Sequence, residues 1–443
     1  MKTLTKNDLF SILSENKSYI SDNEYHKKAV DFIEKNSFPD RKNEIWKNTN
    51  LSEVLKHRYS NPQKTKIPIQ VIQSFEIIKL NADRIVFVNG FYDENLSSIN
   101  ENNKIIACSV VDAKKNHKDI FDKYFNKSEI YKTDIFAAFN TAFAQSGVFI
   151  YVPDNYVSEN PLHIINFIDG DNHKTLVQTH NLIIGGKKSQ LKIINTYNSL
   201  SANYTLSNIV TEIFLEQDSQ INYNTFQGEG NDASQIHNTS VNQNKNSVFN
   251  SHTVTFCGTV VKNNFTVNLN EEHAEVNLDG LYMPDKEQSF DNYIYVNHAK
   301  PNCTSNQNYK GIIDNKAKAV FLGKVYVAKD AQKTLADQSN KNLLLTDYAK
   351  VYSRPQLEIY ADDVSCSHGS TSGQLDKESL FYLRSRGIPM KRAKNLLMYA
   401  FTSDLIDNIT IKAYREYVNF LINKRLRGDE IVGLCSVKIC PSC

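Results

Sequence analysis

Four residues with metal-binding side chains lie within ADDVSCSHGS, residues 361–370. Cys366 and His368 stand two positions apart, and Asp362 and Asp363 precede them. Thiolate and imidazole are ligands that proteins offer to iron, zinc and copper. If the segment is a strand, residues two apart project from the same face, so the two side chains can approach one ion together. The aspartates would then be available to orient the imidazole through hydrogen bonds.

The pair makes an incomplete metal site. A structural zinc ion needs about four protein ligands, and no second Cys/His pair with zinc-finger spacing occurs in the chain. If metal binds here, distant residues or another subunit must supply the remaining ligands. One alternative is a buried Cys366 beside a His368 whose ring is satisfied by a carbonyl or an aspartate. Another is a Cys–His nucleophile, but same-face positions on a strand lie roughly 7 Å apart, which is long for direct proton transfer.

Other cysteines and histidines give weaker signals. The polar segment 297–311 contains His298 and Cys303, and it is either a functional loop or a loop packed on the core. His273 is predicted to be a solvated turn residue. No phosphate-binding GxxxxGK[ST] motif occurs, so the chain is not expected to hydrolyse ATP itself.

The tail GLCSVKICPSC carries Cys435, Cys440 and Cys443. A Cys-x-x-Cys pair can bind metal or cycle as a disulfide. The alternative is that these three thiols are passengers on a chain terminus.

The elements that must position these residues fall into three regions. Helical patterns with some strands occupy the first part, strand-like alternation dominates from about 160 to 365, and helices return after 370. Within the middle region a small residue followed by an alternating stretch recurs at a period near 30, except for one gap of 43; the segments begin at Ser189, Ser219, Ser247, Ala274, Ala317 and Ala349. This period indicates a parallel β-helix, in which stacked coils share a core. An antiparallel sandwich with chance spacing is the alternative.

The C-terminal region predicts amphipathic helices. Asp376 is a candidate N-cap, Gly387 a candidate C′ residue, and Pro389 suits the first turn of the next helix. Such helices can close the open end of a solenoid or dock a partner.

Composition narrows the function classes. The chain has 443 residues, 51 Lys+Arg and 49 Asp+Glu, so no strong basic field points to nucleic acid or an anionic membrane. The N-terminus does not resemble a signal peptide, and no apolar run approaches the ~18 residues of a membrane span. These features predict a cytoplasmic protein. A β-helix enzyme acting on carbohydrate is an alternative, but it would want several carboxylates on one face and an exported chain.

Longer stretches resemble a known family. PQLEIYADDVSCSHGSTSGQLDKESLFYLRSRGI (355–388) is similar to the signature of the SufB/SufD family of iron–sulfur cluster assembly proteins. The similarity continues upstream through 323–355 and 302–313, with weaker echoes in FPDRKNEIWK (38–47) and AAFNTAFAQSGVFIYVP (137–153). Where the SufB type carries Cys-Glu-His-Glu, this chain has Cys-Ser-His-Gly at 366–369, which resembles the SufD type.

The resemblance implies a mainly β fold with a right-handed parallel β-helix core at 156–368. An N-terminal α-containing domain at 1–155 and a C-terminal helical domain at 369–443 would flank this core. It further implies a non-catalytic scaffold that pairs with a SufB-like subunit and binds the ATPase SufC through its C-terminal helices. A homodimer is possible when the chain is isolated.

The same resemblance assigns the site. His368 would face a SufB cysteine across the subunit interface where the nascent iron–sulfur cluster forms, and Cys366 is a weaker candidate ligand. The cluster would be transient, with no cofactor tightly bound to the chain alone. The terminal CPSC departs from the pattern expected of SufD and leaves open a second metal or redox role there.

Overall fold

A computed structural model describes residues 4–14, 23–100, 103–169, 174–200 and 204–428. Cys435, Cys440 and Cys443 lie outside the described residues. The helices are α1 (Lys6–Ser14), α2 (Asn23–Lys35), α3 (Leu51–Leu55), α4 (Ile69–Ser74), α5 (Val110–Asn116), α6 (Lys118–Tyr124), α7 (Ile135–Phe143), α8 (Lys377–Ser385), α9 (Met390–Asp407) and α10 (Lys412–Arg427). The strands are β1 (Asp83–Val88), β2 (Phe91–Tyr92), β3 (Ile106–Ser109), β4 (Val148–Val152), β5 (Leu162–Ile168), β6 (Thr175–Gly185), β7 (Gln190–Ser199), β8 (Thr205–Leu215), β9 (Gln220–Gly228), β10 (Ala233–Gln243), β11 (Val248–Thr255), β12 (Val260–Leu269), β13 (Glu275–Tyr282), β14 (Ser289–His298), β15 (Thr304–Ile313), β16 (Lys318–Val327), β17 (Thr334–Leu344), β18 (Lys350–Ile359) and β19 (Val364–Gly373).

The strands wind into a two-sheet parallel β-solenoid. Odd-numbered strands from β5 to β19 pair in one sheet and even-numbered strands from β4 to β18 pair in the other, so each coil contributes one strand to each sheet. β1 pairs in parallel with β5, which carries the first sheet into the N-terminal region. The prediction of a mainly β, parallel β-helix core with helices at both ends is therefore confirmed, and the sandwich alternative is wrong.

Alternation along each strand builds the core. In β13, Val276 and Leu278 are buried inside the solenoid, whereas the side chains of Asn277 and Asp279 are on its outer face. Because parallel coils stack in register, equivalent positions form columns that run along the solenoid axis. Any side chain can therefore be placed inside or outside from the register of its strand alone.

The 43-residue gap in the sequence repeat has a structural cause. Ser189, Ser219, Ser247 and Ala274 immediately precede strands of the odd sheet, but Ala317 and Ala349 immediately precede β16 and β18 of the even sheet. The motif thus switches sheets. The coil itself does not change length, because Cys303 precedes β15 in the position that Ala274 holds before β13.

One turn repeats in six successive coils. The turns that lead into β7, β9, β11, β13, β15 and β17 each contain a residue with left-handed backbone geometry, with φ from 55° to 60°; these residues are Lys188, Asp218, Asn246, His273, Asn302 and Lys333. His273 is exposed there, as the sequence predicted. This geometry explains why a polar cluster precedes most repeats.

The N-terminal region covers the outer face of the even sheet. The amide of Asn140 in α7 donates to the carbonyls of Thr179 and Asn208, both at 2.9 Å. Further along the solenoid the buried Lys262 ammonium donates to Asp291 at 2.8 Å and to the carbonyl of Ile45 at 2.9 Å. These contacts fix the segment around the single tryptophan of the chain against the sheet.

The helix that carries this contact is shorter than the sequence suggested. The apolar segment 134–147 predicts a helix with Gly147 as its C-cap, but α7 ends at Phe143, and Ala144 is the C-cap. A Cβ at Gly147 would lie 2.0 Å from the carbonyl oxygen of His180, so this glycine permits close approach of two backbones.

The C-terminal helices cover the outer face of the odd sheet. Lys310 of β15 donates to the carboxylate of Asp404 in α9 at 2.5 Å, and Arg425 of α10 donates to the carbonyl of Met283 at 2.9 Å. The predicted caps of α8 are confirmed, since Asp376 accepts from the backbone of Ser379 at 2.8 Å and Gly387 has φ of 80°. The expectation that these helices close the open end is wrong, because they pack against the side of the solenoid.

Among the described residues, no helix is long and apolar enough to cross a membrane.

Candidate functional site

The last coil of the solenoid ends in two edge strands. β19 pairs with β17 alone and β18 pairs with β16 alone, so each has one unpaired backbone edge among the described residues. Cys366 and His368 both lie on β19. The sequence motif therefore sits on the open end of the fold.

The register places both side chains on interior columns. Cys366 is the partner of Ala336 and His368 is the partner of Gln338, and both β17 residues are buried inside the solenoid. The same-face placement expected from the two-residue spacing is confirmed. No further coil covers β19 within the described residues, so His368 is exposed although it occupies an interior column.

Cys366 has a different environment. It is half-buried and packs at the edge of an apolar cluster that contains Val325, Val327 and Ala336. Burial raises the pKa of the Cys366 thiol, with a smaller opposing effect from a hydrogen bond of the Ala336 backbone. A raised pKa keeps the thiol protonated near neutral pH, which weakens it as a ligand and as a nucleophile.

The two aspartates do not approach the imidazole. Asp362 and Asp363 lie in the turn before β19, and the backbone N–H of Asp363 donates to Gln332 at 2.8 Å. Five residues of strand separate Asp363 from His368, about 16 Å at 3.3 Å per residue. The expectation that these carboxylates orient His368 is therefore wrong.

The open end has a polar interior that the sequence reading missed. The Ser370 hydroxyl donates to Ser353 Oγ at 2.7 Å, and Ser353 donates to Asn340 Oδ1 at 2.7 Å. Asn340 in turn donates to the hydroxyl of Tyr282 at 2.8 Å. These residues are far apart in sequence, and only the coil register could have linked them.

The other sequence candidates are structural. His298 is buried inside the solenoid with its Nε2 2.8 Å from Ser305 Oγ, and burial lowers the pKa of His298 to about 4. Cys303 is also buried, and its thiol donates to the carbonyl of Glu271 at 3.2 Å. Segment 297–311 therefore forms part of the core rather than a functional loop.

The described residues do not complete a metal site by themselves. Across 4–14, 23–100, 103–169, 174–200 and 204–428, no group of three or more His, Cys, Asp or Glu side chains could hold a metal ion. Cys366 and His368 thus offer at most two ligands. What the arrangement can do is present an imidazole, with a thiol beside it, to atoms that approach from outside.

A second exposed surface lies on α8. This helix has no buried residue, and Phe381 and Tyr382 are 75% and 58% exposed. Leu396 of α9 adds an apolar side chain that is 43% exposed. Arg384 and Arg386 also belong to α8 and its C-terminal cap. Large exposed aromatic side chains beside cations are typical of protein-binding surfaces.

Comparison with known proteins covers nearly the whole chain. The family model for the SUF system FeS cluster assembly SufBD core domain matches residues 166–401, and that for the SufBD protein N-terminal region matches residues 7–164. An iron–sulfur cluster assembly SufBD family protein of Synechocystis sp. is 30% identical over 86% of each chain. Iron–sulfur cluster assembly protein SufD of Escherichia coli is 30% identical over 88% of this chain and 90% of its own. The SufD protein of Bacillus subtilis is 23% identical over 86% and 88%.

Fold and site together define a β-solenoid protein that presents an exposed imidazole and a half-buried thiol at one open end. The chain belongs to the SufB/SufD family of iron–sulfur cluster assembly proteins. The resemblance carried by residues 302–313 and 323–388 is thereby confirmed, and relatives named SufD span most of the chain.

Proposed function

We propose that this chain is a scaffold subunit that pairs with a SufB-like subunit at the open end of its solenoid and helps to hold a nascent iron–sulfur cluster there. The observation that carries the proposal is the exposure of His368 on an interior column of the last coil. A histidine in that position has no structural task within its own coil, and it faces any subunit that continues the stack.

The edge strands support the pairing. Unpaired strand edges associate readily with other strands, and proteins usually cover or blunt them. β18 and β19 are each ten residues long, and the nearby side chains of Tyr348 and Tyr360 are 69% and 60% exposed. A partner strand on each edge would extend both sheets and enclose His368 between the subunits. The isolated chain could use the same edges to form a homodimer.

The imidazole suits a cluster that must leave. Neutral imidazole binds iron, but it is a less strong ligand for clusters than thiolate, which holds most permanent iron–sulfur centres. In this proposal His368 is the main ligand from this chain and Cys366 a weaker one, while the partner supplies thiolate. The cluster is cargo, and the chain alone holds no cofactor tightly.

The energy source lies in a partner. The sequence has no GxxxxGK[ST] motif, so a SufC-like ATPase is proposed to supply ATP hydrolysis and to dock on the C-terminal helices. Closure of two ATPase copies would then shift the SufB-like subunit against this chain and open the interface to sulfur and iron. In this proposal the chain is a non-catalytic component of a cytoplasmic iron–sulfur cluster assembly complex.

Replacement of the histidine tests the proposal. His368→Asn in the co-expressed complex should lower the cluster yield, read by visible absorbance and by iron content, several-fold while the subunits still co-purify. His273→Asn is the matched control, because His273 is also exposed and its φ of 59° is tolerated by asparagine. An undiminished cluster yield from His368→Asn would remove His368 from the site.

A further inference from the structure

Gln338 lies directly beneath His368. The two residues are Cα partners on the parallel strands β17 and β19, so their backbones are about 4.8 Å apart. Gln338 is 1% exposed and therefore almost completely enclosed, whereas His368 faces outward from the last coil. The enclosed amide of Gln338 therefore lies within reach of the exposed His368 ring.

The Gln338 amide is only half satisfied. Its Nε2 donates to Oε1 of Gln307 in the preceding coil at 2.8 Å. Its Oε1 is buried and has no hydrogen-bond partner among the described residues. A buried acceptor without a donor destabilises the fold, so such an atom needs an explanation.

The fold makes room for this amide. A Cβ at Gly323 of β16 would lie 2.1 Å from Nε2 of Gln338 and 2.7 Å from its Cδ. Only glycine at position 323 allows the glutamine side chain to cross the interior of the solenoid there. The position of the carboxamide is thus set by both sheets.

An amide ladder on the outer face of the odd sheet has the same donor direction as the bond from Gln338 to Gln307. On the outer face of the odd sheet, Asn250 donates to Asn222 at 2.7 Å, Asn277 to Asn250 at 2.9 Å, and Asn306 to Asn277 at 2.8 Å. Asn250 and Asn277 each donate to the amide of the coil before and accept from the amide of the coil after. Gln338 donates to Gln307 in the same sense, so the donor for its Oε1 is expected from the next coil, where the residue in register is His368.

We propose that Gln338 is a positioning residue for His368: its Oε1 accepts a hydrogen bond from one ring N–H of the imidazole. This bond fixes the tautomer and turns the lone pair of the other ring nitrogen outward from the open end. Metal-binding histidines commonly donate their second N–H in this way to an oxygen. A neutral amide orients the ring without the added basicity that a carboxylate would give. The role toward iron rests on the proposed function, but the hydrogen bond does not.

Histidine NMR of the full chain tests the bond directly. With ¹⁵N-labelled histidine, the chain should give eleven ring systems, and His368→Asn identifies the signals of His368. The wild-type ring should be a single tautomer when neutral, and Gln338→Leu should convert it to a mixture of both. Asn306→Ala, which shortens the outer ladder, should leave the signals of His368 unchanged.

The outcomes separate the two claims. A mixture of tautomers in the wild-type chain would overturn the inference, even if Gln338→Leu does not fold. So would a tautomer that Gln338→Leu leaves unchanged. If Gln338→Leu releases the tautomer and also lowers the cluster yield of the complex several-fold, both claims stand. If it releases the tautomer and the cluster yield is unchanged, Gln338 still orients the ring, but that orientation is not needed for the cluster, and the yield of His368→Asn alone decides the proposed function.

Discussion

Two residues of one strand face, Cys366 and His368, differ in how they can react. Cys366 lies closer to the turn and packs on the apolar end of the core, while His368 lies two residues further along an uncovered edge strand. Their common orientation comes from the strand period, and their different exposure comes from the cluster below the cysteine. The imidazole is therefore the more available ligand of the pair.

The raised pKa of Cys366 predicts slow alkylation. Burial favours the neutral thiol, so the site-resolved rate with iodoacetamide at pH 7.5 should be lower than that of free cysteine, and it should still be rising at pH 9. Mass spectrometry of the Cys366 peptide distinguishes this thiol from the others. Alkylation as fast as that of free cysteine would show that the thiol is activated rather than suppressed.

The sequence predicted part of this site. The two-residue spacing is enough to place Cys366 and His368 on one face, because side chains two positions apart on a strand project to the same side. It could not reveal Gln338, which lies thirty positions upstream of His368 and becomes its neighbour only through the coil register. Asp362 and Asp363 were close in sequence but not in space, since a turn followed by a strand carries them away from the ring.

At the scale of elements, the ends of α8 were easier to predict than the surfaces on which α9 and α10 pack. Asp376 and Gly387 identify the ends of α8, because capping and left-handed geometry depend on local residues. An amphipathic stripe shows only that a helix buries one face. It does not identify the surface on which the helix packs, which is why α9 and α10 were misplaced at the open end.

We propose that the exposed aromatic side chains of α8 form the docking surface for a SufC-like ATPase. Phe381→Asp together with Tyr382→Asp should reduce recovery of a SufC-like subunit in pull-downs at least tenfold, because large aromatic anchors dominate such interfaces. Neither side chain is buried, so the fold should be kept. Deletion of 374–428 is a poorer test, since it would also uncover the outer face of the odd sheet.

A matched control for α8 exists on α10. Phe420 is 46% exposed, with the ammonium of Lys424 5.1 Å from its ring centroid. Phe420→Asp introduces the same change on another helix and should leave the pull-down unchanged. Equal loss from both variants would extend the docking surface from α8 to α10, and undiminished binding by the α8 variant would contradict the docking surface on α8.

At the scale of the whole molecule, the repeat period was sufficient to predict the solenoid. A period near 30 needs only small residues at turns and alternation along strands, and both are readable in the sequence. The alternation could not show which interior positions carry polar side chains, because polar residues follow the same alternation as apolar ones. Glu229 is an example: it is fully buried and accepts from Ser207 at 2.9 Å.

These buried groups predict a stability maximum near pH 6.5. Burial raises the pKa of Glu229 from 4.5 to about 8, so between these values the folded chain keeps a proton that the unfolded chain has lost. The contribution of Glu229 to the free energy of unfolding therefore falls as pH rises between these values, with a slope of at most about 1.4 kcal/mol per pH unit. Burial lowers the pKa of His163 and His237 from 6.5 to about 3, so the unfolded chain takes up protons below pH 6.5 and stability falls there.

Urea unfolding followed by Trp46 fluorescence and circular dichroism measures this dependence. Between pH 6.5 and 8 the midpoint of the wild-type chain should fall, and Glu229→Gln should remove most of that fall. Glu287→Gln, which changes an exposed glutamate, is the control and should behave like the wild type. A wild-type midpoint that is constant from pH 6.5 to 8 would contradict the buried, protonated state of Glu229.

The central claim is that this chain supplies only part of a cluster site and that a sister subunit completes it. The most direct measurement is the content of iron and acid-labile sulfide in the chain purified alone, compared with the chain co-expressed with SufB-like and SufC-like subunits. We expect little iron or sulfide in the chain alone, and a cluster in the complex that depends on His368. A full cluster on the chain by itself would contradict the shared site.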